Sequence, residues 1–330
     1  MFCHKSICEF STTVLAVIAG LSLFPTDFVG QTAKTEPQQI RMGLIVTDSS
    51  NRSVGNVRKE NIQVIEDGQA LNVSFFGKDE RPLRCVIAID TSGSFKSLLG
   101  VGLNITRFLI GTKKPDDEMM LVTFVSSDKI KTLVDFTTEG PKLIDALKLV
   151  VTEGGQSAVV DAAYLAVKAA AKRQADNPGV RAVVVLLTDG EDRSSFYTQE
   201  QLVTVLREND VQVFIIGITG DLDKQESLFN RPNPRKRAEK LLLSLAQETG
   251  GRVFFAEKDT ELLEATKQII LELNSQYLIG FDRQPQLGEK GIRKVRVSIV
   301  NDPQAKNLTA ITRPGYRVGP SQPVKDAKSP

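Results

Sequence analysis

Histidine is all but missing from this chain: the only one is His4. Beyond that residue there is no Ser-His-Asp or Cys-His triad, no HExxH zinc site and no histidine acid–base pair. Ser-Lys and carboxylate-only mechanisms survive this exclusion. Cysteine is scarce as well. Cys3 and Cys8 fall in the N-terminal segment, which leaves Cys85 alone in an apolar run. That excludes a disulfide framework and marks Cys85 as a small core residue. An excess of charge of one sign is also lacking. Against 42 Lys and Arg stand 40 Asp and Glu, a net charge of +2. Nothing in that balance calls for nucleic acid or an anionic membrane as partner. There is no phosphate-cradling glycine loop and no internal repeat.

What is present begins with a leader-like segment. The stretch TTVLAVIAGLSLF is an apolar run bounded by Pro25. It is short of the roughly 20 residues that a membrane-spanning helix needs. Residues 1–31 therefore read as a secretory signal peptide, with cleavage expected near Gly30 or Ala33. The alternative is an uncleaved membrane anchor, the one arrangement that would bring membrane contact. The expected localisation is extracytoplasmic: periplasm, cell surface or secreted. Residues 32–39 form a polar linker and 319–330 a disordered tail.

With 330 residues, 41% of them apolar, the chain has enough apolar material for a large core. Residues 40–82 carry only strand signals, among them NIQVIEDGQALNVSFFG, two strands across an Asp67-Gly68 hairpin. Over 83–276 strands alternate with helices. CVIAID, EMMLVTFVSS, KIKTLVDFT, VRAVVVLLTDG, VQVFIIGI and RVFFAE are strands. SFKSLLGVGLNITRFLIG, GPKLIDALKLV, AVVDAAYLAVKAAAKRQ, TQEQLVTVLREND, RKRAEKLLLSLAQETGG and TELLEATKQIILELNSQ are helices. The alternation predicts an α/β fold with a doubly wound, mostly parallel sheet. Over 277–318 strand signals return in YLIGFDR, GIRKVRVSIV and AITRPGYRV. The economical architecture inserts the α/β unit 83–276 into a small β-domain built from 40–82 and 277–318.

In doubly wound sheets, ligands bind at the carboxyl ends of the strands. Three loops there carry acids or hydroxyls: DTSGS after CVIAI, GGQSAVVDAA at 154–163, and TDGED at 188–192. They supply Asp90, Ser92, Ser94, Ser157 and Asp189, all oxygen donors. Hard oxygens of which two are charged select Mg2+ or Mn2+, with Ca2+ a poorer match. The bland alternative is helix capping by Ser92 or Ser94, and by Ser157 for the helix after it. Asp161 is expected to interact with the first turn of that helix, and Glu191 and Asp192 to be solvated loop charges.

On these residues the chain resembles a von Willebrand factor type A domain with a metal-ion-dependent adhesion site. Asp90, Ser92 and Ser94 match the D-x-S-x-S motif, and Asp189 matches the aspartate of the T-D-G turn. Ser157 stands where the family has a threonine, which keeps the hydroxyl and loses the methyl that stiffens it. The stretches VIEDGQ, ETGGRVFFAE and SQYLIGF resemble the bacterial secreted proteins described as von Willebrand factor A-related. The resemblance implies that the serines bind the ion directly and the aspartates directly or through water. An Asp or Glu of a protein partner would complete the shell.

Other features are read plainly. RPNPRKRAEK (231–240) is an exposed loop and helix start, without the interleaved aromatics of a nucleic-acid groove. Tyr277 and Phe281 are core aromatics, and four Asn-x-Ser/Thr matches are coincidental. The expectation is a metal-dependent protein-binding module without enzymatic activity or a small-molecule substrate. Two alternatives stand beside it: an envelope scaffold whose ion merely ties loops together, and a metal-assisted hydrolase.

Overall fold

The computed structural model describes residues 37–220, 222, 233–286 and 288–319. The expected signal peptide, most of the linker, residues 320–330 of the tail and residues 231 and 232 of the basic run lie outside these residues. The chain opens with β1 (Gln38–Thr47), β2 (Ile62–Glu66), β3 (Gln69–Leu71) and β4 (Val73–Lys78). The α/β region follows as β5 (Leu83–Asp90), α1 (Leu99–Gly111), β6 (Glu118–Phe124), β7 (Ile130–Thr137), α2 (Gly140–Leu147), α3 (Val159–Asp176) and β8 (Arg181–Thr188). It continues through α4 (Gln199–Glu208), β9 (Val211–Gly217), α5 (Pro234–Thr249), β10 (Val253–Phe255) and α6 (Asp259–Ser275). The last strands are β11 (Tyr277–Arg283), β12 (Gly291–Ile299), β13 (Thr309–Ile311) and β14 (Gly315–Val318).

Six strands form the central sheet in the order β10-β9-β8-β5-β6-β7. All neighbours are parallel except β6 and β7, which pair antiparallel. The apolar runs in β5 and β8 follow from this position, since both faces are covered by helices. Cys85, Ile87 and Ile89 point into a core shared with α1, α2 and α6. Val86 and Ala88 point the other way, into a core shared with α3, α4 and α5. The alanines of α3 let that helix lie close against the sheet. Cys85 is buried in this packing, and burial pushes its thiol up to about 12, which leaves it an inert core residue.

The chain moves from β5 towards β6 on one side and from β8 towards β9 on the other. The crevice between the upper ends of β5 and β8 is therefore the topological switch point.

The flanking strands combine across the sequence. One four-stranded sheet runs β13-β1-β11-β4 and the other β14-β12-β2-β3, so each mixes strands from before and after the α/β region. They enclose a core of Met42, Leu44, Val64, Ile279, Phe281, Val297 and Tyr316, among others. Tyr277 stacks on Phe76 at 4.9 Å, and its hydroxyl accepts the Val57 amide at 3.1 Å.

Two expectations need correction. NIQVIEDGQALNVSFFG holds three strands rather than two. The hairpin at Asp67 (φ 45°) and Gly68 (φ 91°) joins β2 to the short β3, after which β4 leaves to pair with β11 in the other sheet. AITRPGYRV also divides, into β13 and β14 in different sheets. Pro314 between them cannot donate to a ladder, so the chain changes sheet there.

Candidate metal centre

Asp90 is the last residue of β5 and is fully buried. Its Oδ1 accepts the Ser92 amide at 2.9 Å, which folds DTSGS back over the strand end. Thr91 fixes this loop to the tip of β6, donating both its amide (2.9 Å) and its hydroxyl (3.1 Å) to the Phe124 carbonyl. Ser92 and Ser94 do not cap α1. That helix begins at Leu99, its N-cap is Leu98, and no side chain caps it. The hydroxyls of Ser92 and Ser94 instead lie 3.2 Å apart.

The second loop docks on the first. Gly93 donates to the Gly155 carbonyl at 3.2 Å, and Glu153 donates to the Thr91 carbonyl at 3.0 Å. This brings the Ser157 hydroxyl to Asp90 Oδ2, to which it donates at 3.0 Å. Ser157 is not a cap either: the N-cap of α3 is Ala158, without a side-chain cap bond.

The third loop follows β8. Its Gly190 has φ 79°, and a Cβ there would stand 2.8 Å from Leu242 Cδ1, so glycine is strongly favoured in this turn beside α5. Asp189 Oδ1 accepts the Glu191 amide at 2.9 Å, and the Ser94 hydroxyl close by favours the charged form of this carboxylate. Thr188, not assigned from the sequence, donates its hydroxyl to Asp90 Oδ2 at 2.7 Å and accepts the Gly190 amide at 3.0 Å. The signal was a hydroxyl directly before Asp189 at a strand end.

All five expected residues thus come together at the switch point, linked through Asp90 and Asp189. The electrostatics are unfavourable as they stand. Burial pushes the Asp90 carboxyl up against the hydrogen bonds from Ser92, Thr188 and Ser157. Burial first, and the neighbouring Asp90 charge second, push Asp189 from 3.8 to about 6. Asp189 Oδ2 is buried and has no hydrogen-bond partner. An orphaned carboxylate oxygen next to a second buried carboxylate is what a hard cation would satisfy, so the donor set fits a divalent ion. Among the described residues, no three His, Cys, Asp or Glu side chains gather as a metal cluster. The candidate centre differs in kind: two carboxylates and three hydroxyls.

Three acids around the centre depart from expectation. Asp161 does not serve its own helical turn. Its two oxygens each accept a backbone amide, from Phe196 and Tyr197, both at 2.8 Å. Asp192 is not a free loop charge, since its Oδ1 accepts the Val160 amide at 3.1 Å and the Ser195 hydroxyl at 2.5 Å. It thereby caps the start of α3 from a distant loop. Glu191 is buried and paired with Arg193. These contacts hold the loop after β8 against α3, and the amides of Arg193 and Ser194 both reach the Ser157 carbonyl.

The chain belongs to the von Willebrand factor type A domain family: the family profile matches residues 85–268, from β5 into α6. The two flanking β-sheets lie outside that match. Comparison with the curated proteins gives no match. Among solved structures, the chain is similar to a von Willebrand factor type A protein from Catenulispora acidiphila, at 12% identity and a TM-score of 0.47, over 87% of this chain and 74% of that one. It is similar to the conserved hypothetical protein BatB from Bacteroides thetaiotaomicron, at 15% identity and 0.45, over 58% of this chain and all of that one. It is also similar to proximal thread matrix protein 1 of the mussel byssus, solved with zinc in its MIDAS motif, at 17% identity and 0.46, over 64% of this chain and 50% of that one.

Proposed function

We propose that this chain is a metal-dependent protein-binding module. Asp90, Ser92, Ser94, Ser157 and Asp189 hold one Mg2+ or Mn2+, and the ion takes an Asp or Glu carboxylate from a partner protein. One observation carries the reading: two buried carboxylates and three hydroxyls converge at the switch point, with Asp189 Oδ2 left without a partner. Two carboxylates balance the ion's charge, while neutral hydroxyls fill positions without adding more. Any outside ligand that displaces water is then a further oxygen donor, and a carboxylate is the strongest that a protein surface offers.

We propose no enzymatic role. The described strand ends bring no histidine, lysine or arginine into hydrogen bonding with Asp90 or Asp189. Chemistry at the ion would therefore have only the carboxylates that hold the ion to carry protons. The N-terminal apolar segment supports an extracytoplasmic location. No helix among the described residues is long and apolar enough to cross a membrane.

The test is electron paramagnetic resonance of Mn2+ with the full chain, wild type beside Asp90→Ala, with circular dichroism as the folding control. One bound Mn2+ in the wild type and none in a folded variant is the expected result. Free Mn2+ in both samples would remove the metal centre from the account. A scaffold role would appear differently, as a large loss of melting temperature on chelation with no metal-dependent ligand.

A further inference from the structure

The metal centre does not stand alone on its face of the molecule. Because β6 rises to that end of the sheet, β7 returns and α2 climbs again, the segment after α2 lies beside the metal loops. Within it, Leu149 is 80% exposed and Val151 is 66% exposed, the two most exposed large apolar residues among those described. Val150 between them packs against the core. The segment is held at both ends. The amides of Leu149 and Val150 bond back to Ala146 and Leu147 at the end of α2, and Glu153 donates to Thr91 in the metal loop. Glu153 is also paired with Lys131 at 2.8 Å. Val151 is two residues from Glu153, so its Cα lies within about 7 Å of a residue bonded to the metal loop.

Isolated exposed aliphatic residues need no explanation. Here two of them are exposed on a strip that is bonded through Glu153 to the loop of the metal site, where a bound ion would take an external carboxylate. Resting on the metal-site reading above, we propose that Leu149 and Val151 form an apolar seat for the partner, selecting a carboxylate flanked by large aliphatic side chains. The occupant is thus a protein loop with an acidic residue between leucine- or isoleucine-like neighbours. The ion supplies the polar anchor, and the seat discriminates among the many acidic residues that protein surfaces carry.

The test uses the full chain in Mg2+ and two capped peptides, acetyl-Gly-Gly-Asp-Gly-Gly-amide and acetyl-Gly-Leu-Asp-Leu-Gly-amide, titrated by amide NMR. The leucine-flanked peptide is expected to bind about tenfold more tightly, from partial burial of its side chains. In the Leu149→Ser, Val151→Ser double variant that preference should vanish while both peptides still require Mg2+. Both positions are exposed, so the variant is expected to fold. Equal affinity of the wild type for the two peptides, or a preference that persists in the double variant, overturns the seat and leaves the metal centre standing. Failure of both peptides to bind in Mg2+, or binding that ignores EDTA, refutes the metal-centred reading and the seat with it. A wild-type dimer in sedimentation that the double variant dissociates would assign the strip to a second copy of the chain and overturn the proposal.

Discussion

Neutralising Asp189 should stabilise the metal-free protein. Asp189 and Asp90 are both buried, and no cation is bonded to either. The Asp189 carboxyl therefore rises from 3.8 to about 6, through burial and then through the Asp90 charge. A carboxyl raised in the folded state binds its proton more tightly there than in the unfolded chain. Stability is then highest below the unfolded value and is lost as pH rises through the window from 3.8 to about 6. At about 1.4 kcal/mol per pH unit, the full loss is about 3 kcal/mol by neutral pH. Asn keeps the carbonyl that accepts the Glu191 amide and removes the charge. In EDTA at pH 7.5, Asp189→Asn should gain about 1–3 kcal/mol in urea unfolding, and at pH 4 about nothing. With saturating Mg2+ the order should reverse, because the variant forgoes stabilisation by the bound ion. A metal-free Asp189→Asn that is less stable than wild type at pH 7.5 would refute the reasoning, since the carboxylate would then be favourable without a cation.

Three further outcomes are expected. Asp161→Ala leaves the Phe196 and Tyr197 amides unpaired; it should cost about 2–4 kcal/mol, with faster hydrogen exchange at those two amides. Gly250 is left-handed at φ 68°, and a Cβ there would lie 2.3 Å from the Arg313 amide nitrogen. Gly250→Ala should therefore destabilise by about 2 kcal/mol or more and displace the chain between β13 and β14, readable in a denaturant melt and in the Thr312 and Arg313 amide shifts. Glu272 is buried beside Arg252, yet burial outweighs that cation and lifts its carboxyl from 4.5 to about 7. Its contribution to stability falls as pH rises through that window, so Glu272→Gln should flatten the dependence between pH 5 and 7, whereas Arg252→Ala should steepen it and carry it higher. An unchanged pH profile in Glu272→Gln would show that this carboxyl titrates as it does in the unfolded chain.

Much of this arrangement was legible in the sequence because it depends on short-range pattern. A run such as AVVVLL, apolar at every position and rich in β-branched residues, reads as a strand covered on both sides, and strands alternating with helices point to a doubly wound sheet. The three loops of the candidate centre were legible for the same reason, since each follows a strand or opens a helix at the ligand-binding end. Contacts made by geometry between distant segments were not. Nothing near Asp192 in the chain shows that it caps α3, more than thirty residues earlier, or that Asp161 pins the Phe196 loop. The departure of β4 from its hairpin likewise depends on its partner β11, two hundred residues away. The local signal at Leu71-Asn72-Val73 is the same whichever sheet receives the strand.

The central claim is that Asp90, Ser92, Ser94, Ser157 and Asp189 form one cation shell. Calorimetric titration of Mg2+ into the EDTA-treated full chain, beside Asp90→Ala and Asp189→Asn, tests it most directly. The account predicts saturable binding at one site in the wild type, no binding in Asp90→Ala, and a weaker site or none in Asp189→Asn, with both variants folded. Wild-type and variant proteins that bind Mg2+ equally, or a wild type that gives neither heat nor a shift in melting temperature, would contradict it.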